Sequence, residues 1–368
     1  MKTGSRSLLV APALALALVP VFLPSPAAAD PVADFYKGKQ VKMIIRTAAG
    51  GGYDLYARLL MRHMPRHIPG NPSAVNVNMP GGGGLKSANY VAKVAPRDGS
   101  ILTIVSQALP MIQGLKLTNK LQADMKAFNW IGNMSKSNQV FVVWHTSKAK
   151  SVEDLKKQTV VIGGTGAGSA SIQLPAVYNN VLGTRLKIIY GYESGTEINF
   201  AMEKGELEGR GTNPWASWVS ATPQLVAKKL IRPLIQVGLE KDPALPDVAL
   251  LKDLGKTPEE TAILTYVSKA VVVGRPIAVA QGVPADRVKA LRVAFEATLK
   301  DAKFMAEAKK QRADIDPMTG EDLQKLVAEL VDVNEDLRLK VLGAIDAKKA
   351  AAQQRAGGKK KKKKKKEG

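Results

Sequence analysis

The stretch IIRTAAGGGYDLYARLL, residues 44 to 60, runs an apolar segment into Gly50, Gly51 and Gly52 and then straight into a helical pattern. A loop stripped of side chains lets a ligand approach the backbone, and the first turn of the next helix offers unpaired N–H donors with about half a positive charge. Such a place binds an anion, either a phosphate or a carboxylate. The same unit recurs at Gly81, Gly82, Gly83 and Gly84 in MPGGGG, and in GGTGAGSASIQL, where Gly163, Gly164, Gly166 and Gly168 precede Ser169. Two more loops lead into helices without a glycine cluster: YGYESGTEINFAME, with Thr196 as N-cap, and GRGTNPWASW, with Asn213 as cap and Pro214 at the first helical position.

The spacing argues against nucleotides. A dinucleotide fingerprint needs glycines at its first, third and sixth positions and an acid about 20 residues on. Counting from Gly164 the sixth position is Ser169, and no Asp or Glu occurs between Leu55 and Arg97. A P-loop ending at Gly255-Lys256-Thr257 would need glycine where Leu250 stands. Catalytic sets are equally absent. His63 and His67 lie four apart, but Pro65 intervenes and Met64 occupies the place of a zincin glutamate. No serine has the flanking glycines of a nucleophile elbow. Asp54, directly after the triple glycine, reads as a helix cap or a contact for a ligand amine, and the backbone itself is left as the functional group. No catalytic residue, metal ligand or cofactor is expected.

The elements that must position these loops alternate. Short Val/Ile-rich runs at 41–46, 75–78, "ILTIVS", "NQVFVVWH", "TVVIGG" and "LKIIYGY" alternate with amphipathic runs, the pattern of an α/β protein with mostly parallel strands. "SKAVVVGRPIAVA" reads as paired or continuous strand, and a charged helix is expected over 320–349. In a parallel sheet such loops gather at the carboxyl edge, where ligands bind.

The two ends are set apart by composition. Lys2 and Arg6, a Leu/Ala-rich run and Ala27-Ala28-Ala29 form a secretory signal peptide over 1–29. Residues 350–368, with Lys359 to Lys366 in one block, are expected to form a disordered tail. Of the formal net charge of +22, Lys359–Gly368 carries +7 and the signal segment +2, leaving +13 on a basic body suited to anionic ligands. There is no cysteine, hence no disulfide, thiolate site or lipoprotein anchor. The remaining length exceeds the roughly 250 to 300 residues of a single core, so two domains are expected.

Taken in order, YKGKQVKMII, GGGYDLYARLL, NMPGGGGLKSANYVA, PRDGSILTI, GGTGAGSASIQL, LPDVALLKDLG and GVPADRVKALRVAF resemble the periplasmic solute-binding receptors of the tripartite tricarboxylate transporter family, the Bug-type or TctC-like receptors. The resemblance runs from Asp34 to about Leu337. It implies a two-domain periplasmic-binding-protein (Venus flytrap) fold with a hinge, domain I over 30–136 and 272–349 and domain II over 137–271. The chain would cross between them near SKSNQ and YVSKA. It also implies a carboxylate ligand, handover to membrane permease subunits, a periplasmic location and no enzymatic activity. The implied ligand-binding set is Ala49, Gly50, Gly51, Gly52, Tyr53, Asp54, Pro80, Gly81, Gly82, Gly83, Gly84, Thr165, Gly166, Gly168, Ser169, Tyr192, Asn213 and Trp215. Arg210 in EGRGTN reads either as a partner for a second carboxylate or as a solvated arginine. Two positions depart from the family: Gly82 replaces an alanine, and Arg46-Thr47 stands where the first strand usually leads into proline.

Two other classes compete. A binder of nucleic acid or of an anionic surface is suggested by the charge and the tail, but aromatic residues are 5% of the chain, which leaves few platforms for stacking bases, and no nucleic acid is expected. An exported hydrolase or transferase lacks a nucleophile paired with a base. The exported protein is expected to be a monomer beginning near Asp30; mass spectrometry finding an intact N-terminus would contradict the signal peptide.

Overall fold

The computed structural model describes Met1 and residues 30–50, 52–164, 169–192 and 195–348; the signal segment and the lysine tail lie outside them. The first strands in chain order are β1 (Gln40–Ile45), β2 (Ser73–Asn78), β3 (Ile101–Ile104) and β4 (Asn129–Asn133). The next six are β5 (Gln139–Trp144), β6 (Val160–Gly164), β7 (Leu186–Tyr190), β8 (Gly209–Arg210), β9 (Ile231–Val237) and β10 (Ala249–Leu250). The last two are β11 (Pro276–Val279) and β12 (Met318–Thr319). They form two six-stranded sheets, ordered β12-β4-β11-β3-β1-β2 and β10-β9-β5-β8-β6-β7.

Both sheets are mixed, with most strands pointing one way. In the first, β1 pairs in parallel with β2 and β3, whereas β11 runs antiparallel between β3 and β4. In the second, β6 is parallel to β7 and β8, and β5 runs antiparallel between β8 and β9. The central strands β3 and β11 are buried at every residue, as strands covered on both faces must be, and edge strand β2 is not. Large side chains such as Trp130, Phe128, Phe295 and Trp218 fill the layers between sheets and helices.

This chain direction decides where the loops meet. The order β2-β1-β3 places the ends of β1 and β3 beside each other, a crevice of the kind that binds ligands in α/β sheets. Because β11 is antiparallel to β3, its first residues lie at that same edge. The second sheet repeats the device, with the start of β5 beside the end of β8. The chain passes from one sheet to the other between Asn133 and Gln139, at SKSNQ.

SKAVVVGRPIAVA is not continuous strand. It is the end of a helix, Pro258–Val272, then a turn at Gly274 and the short β11. The helix begins at Thr257, whose hydroxyl accepts the Glu260 N–H, and it buries Ile263, Leu264, Tyr266, Val267, Val271 and Val272. An apolar run buried on most sides loses its helical period, which is why it reads as strand. The expected 320–349 helix is two, Gly320–Val331 and Glu335–Ile345, divided where Asn334 caps the second.

That last helix fastens itself to the second sheet's side. The Asn180 side-chain N–H₂ lies 2.8 Å from the Ala344 carbonyl and 3.0 Å from that of Asp346, both orphan acceptors at a helix end. Asn180→Ala should lower stability by about 1 to 2 kcal/mol, at roughly 1 kcal/mol per lost bond. Thermal unfolding checks this; an unchanged midpoint would mean the helix end is held by its apolar contacts alone.

Candidate functional site

Arg46 directly follows β1, and Arg275 directly precedes β11. The two strands flank β3, so both arginines lie at one edge of the sheet, with Tyr53 between them in contact with each. The carbon of each guanidinium is 4.4 Å from the Tyr53 ring centroid. A cation over an aromatic face is held by the ring quadrupole, which organises both arginines around one side chain. The Tyr53 hydroxyl accepts the Gln107 N–H at 3.2 Å and donates to the Gly274 carbonyl at 3.4 Å. Burial alone would raise its pKa, but the charges of Arg46 and Arg275 and the Gln107 N–H outweigh that and hold it below the usual tyrosine value.

The second glycine loop is braced by Arg46, which donates to the Gly83 carbonyl at 2.9 Å. All four glycines have positive φ. Only glycine fits at 84, where a Cβ would lie 2.9 Å from Arg46 Nε and 3.0 Å from the Ser106 side chain. Within the loop the Gly84 N–H bonds to the Gly81 carbonyl and the Leu85 N–H to that of Gly82, while the N–H groups of Gly82 and Gly83 have no partner among the described residues. Arg46 Nε is buried and likewise without a partner.

These groups open onto a cavity of about 970 Å³. The first sheet supplies Arg46, Tyr53, Gly82, Gly83, Gln107 and Arg275; the second supplies Gln139, Ser169, Gln173 and Pro214. Leu85, Ile112, Leu117 and Ile345 form an apolar wall. No acidic residue lines it, and neither arginine has a carboxylate partner among the described residues. Its formal charge is +2, from the two arginines.

Other residues singled out by sequence occupy different places. The Asp54 carboxylate is buried behind the first glycine loop, accepting from Gly50 N at 3.0 Å, Arg58 Nε at 2.9 Å and Asn78 Nδ2 at 2.9 Å. It does not line the cavity, and it spends the Gly50 N–H internally. Gly52 faces Arg275, whose Nη2 would lie 3.2 Å from a Cβ there. Ala49, Pro80 and Gly81 are exposed on the loops. Ser169 begins the Ala170–Leu182 helix at the cavity wall. Tyr192 and Trp215 pack instead against a separate apolar cluster around Trp218, and burial pushes the Tyr192 pKa up. Asn213 pairs its backbone with Val140, and Pro214 rather than Asn213 is the N-cap residue. The N–H groups of Trp215 and Ala216 bond to Asn138 O and Ser137 Oγ, so that helix start is not free for an anion. Gly51, Thr165, Gly166 and Gly168 lie outside the described residues.

Arg210 is neither solvated nor in the cavity. It donates to the Gly195 carbonyl at 3.1 Å and to Asn199 at 2.9 Å, beside the Trp218 ring. The residues that sequence reasoning passed over are Arg275, Gln107, Gln139 and Gln173. Arg46 carried a signal, as the departure from proline at the end of the first strand. Arg275 carried none, since its role depends on β11 running antiparallel beside β3.

Asp54 generates a test. Its pKa is lowered: burial opposes this, but the bonds from Arg58, Asn78 and Gly50 outweigh it. Its contribution is therefore full above the unfolded value of about 4 and lost as pH falls through the lower folded value. Asp54→Asn should cost about 2 kcal/mol at pH 7, because an amide N–H₂ would face a donor, and the deficit should shrink below about pH 4. Denaturant unfolding across pH checks this; a deficit that does not depend on pH would contradict it.

No family model matches the chain. A stretch of 103 residues is 35% identical to Protein BugT of Bordetella pertussis, a match covering 28% of this chain and 31% of that protein's length. Among solved structures, a TctC solute-binding protein from Polaromonas is similar with a TM-score of 0.62 at 17% identity, over 83% of this chain and 99% of that one. MatC of Rhodopseudomonas palustris, solved with bound malate, is similar with a TM-score of 0.59 at 17% identity, over 82% and 99% of the two chains. Among the described residues no helix is long and apolar enough to cross a membrane. The Bug-type resemblance read from the sequence is supported, and the chain has the two-domain α/β fold of the TctC-type periplasmic solute-binding proteins.

Proposed function

We propose that the protein is a periplasmic solute-binding receptor that captures a small organic acid as its carboxylate and delivers it to the membrane permease of a tripartite tricarboxylate-type transporter. The observation that carries the reading is the cavity's charge: two arginines and two backbone N–H groups converge with no acid among the described residues to neutralise them. Both guanidiniums are half-buried, and an anion is the occupant that complements them. Charge-assisted bonds contribute on the order of 1.5 to 3 kcal/mol each, and several together hold a small anion at micromolar affinity. A structural relative solved with malate supports the same class.

In this reading the protein acts as a monomer and performs no chemistry on its ligand. Domain I, 30–136 with 272–349, and domain II, 137–271, close over the ligand by bending where the chain crosses between the sheets. The Gly82 and Gly83 N–H groups on one side and the Gln139 and Gln173 side chains on the other then meet the ligand.

Gly83→Val tests the role of the loop. Gly83 has φ +67 with nothing within 4 Å of a Cβ, so valine there meets open space rather than a clash, at a backbone cost of roughly 1 to 2 kcal/mol. Calorimetric titration against a panel of organic acids should find a ligand for the wild-type protein and a loss of roughly a hundredfold in the variant, with circular dichroism showing a folded chain. Unchanged affinity in a folded variant would mean that the loop is only a turn.

A further inference from the structure

We propose that Arg46 and Arg275 form a paired subsite for a dianionic head group, and that the ligand carries an apolar body lying against Leu85, Ile112, Leu117 and Ile345. This rests on the reading of the cavity as a carboxylate site and adds the ligand's charge and shape.

Charge balance sets the head group. Among the described residues the cavity holds two cations and no acid, so a monoanion would leave one guanidinium uncompensated when the site closes. Both guanidinium carbons lie 4.4 Å from one ring centroid, so they are at most twice that distance apart. Two carboxylates on neighbouring carbons can meet both. A bidentate guanidinium–carboxylate pair is the strong form of this contact.

An amine is disfavoured by the same inventory. Asp54, the acid nearest in sequence to the glycine loop, is committed to Gly50, Arg58 and Asn78 behind it. Among the described lining residues a ligand ammonium would find two cations and no carboxylate. The body of the ligand is set by the aliphatic part of the wall, where Leu85, Ile112, Leu117 and Ile345 offer apolar surface, while Ser106, Thr118, Gln139 and Gln173 make the rest of the lining polar. The volume of about 970 Å³ sits at the upper end of the roughly 300 to 1,000 Å³ of drug-sized sites.

Four matched probes separate the terms by calorimetric titration: 2-phenylsuccinate has both carboxylates and the apolar body, succinate lacks the body, 3-phenylpropanoate lacks one carboxylate, and aspartate adds an amine to succinate. The expected order puts 2-phenylsuccinate tightest, by roughly tenfold or more over succinate and over 3-phenylpropanoate, with aspartate weakest. Arg275→Gln, confirmed folded by thermal melting, should bring 2-phenylsuccinate and 3-phenylpropanoate to within about threefold of each other. A wild-type protein that binds 3-phenylpropanoate as tightly as 2-phenylsuccinate, or aspartate as tightly as succinate, overturns this inference and leaves the carboxylate reading standing. If none of the four binds while the protein is folded, both fall.

Discussion

Two guanidinium groups resting on one tyrosine ring, with no carboxylate beside them among the described residues, are the constraint around which the rest of the site is arranged. Both guanidinium carbons lie 4.4 Å from the ring centroid, so at an effective dielectric constant of about 20 their repulsion is at least on the order of 2 kcal/mol. Two cation–π contacts of about 0.5 to 2 kcal/mol each offset much of it. The offset holds only while Tyr53 stays put, which its hydroxyl ensures by bonding to the backbone at Gln107 and Gly274. The glycines follow from the arginines: Gly84 leaves room for Arg46, and Gly52 leaves room for Arg275. Positive φ along Gly81–Gly84 then turns two N–H groups away from the loop's own carbonyls.

Strand direction makes this assembly possible. Arg46 and Arg275 are more than two hundred residues apart in the chain, yet one ends a strand and the other begins its antiparallel near neighbour, so both reach the same edge. Asp54 has the opposite task from the one its position suggests. By gathering Gly50, Arg58 and Asn78 it fixes the first loop and removes itself from the cavity, and the positive potential there is left uncancelled.

Much of this was legible in the sequence, for reasons that also explain what was not. β1, β2, β3, β5, β6 and β7 are clear apolar runs bounded by turn residues, and β1, β2 and β6 also lead through glycines into a helix, so all six were readable from period and punctuation. β4 and β9 were not, because NWIGN and IRPLIQV carry a glycine and a proline that demote them. The helix Pro258–Val272 was hidden by its own burial. Of the residues the glycine loops singled out, Gly82, Gly83, Tyr53 and Ser169 line one cavity. Asn213, Trp215 and Tyr192 do not, since their loop ends are consumed by bonds across to β5 or by packing on Trp218. Those bonds depend on tertiary pairing that no local pattern encodes. Arg275 was invisible for the same reason.

The most direct test of an anion held by uncompensated arginines and free backbone donors is a crystal structure of the protein grown with an acid that it binds. The account predicts carboxylate oxygens within hydrogen-bonding distance of the Gly82 and Gly83 N–H groups and of at least one of the Arg46 and Arg275 guanidiniums, with the Asp54 carboxylate still bonded to Gly50, Arg58 and Asn78. A ligand seated elsewhere, or a carboxylate directed at neither arginine, would contradict it.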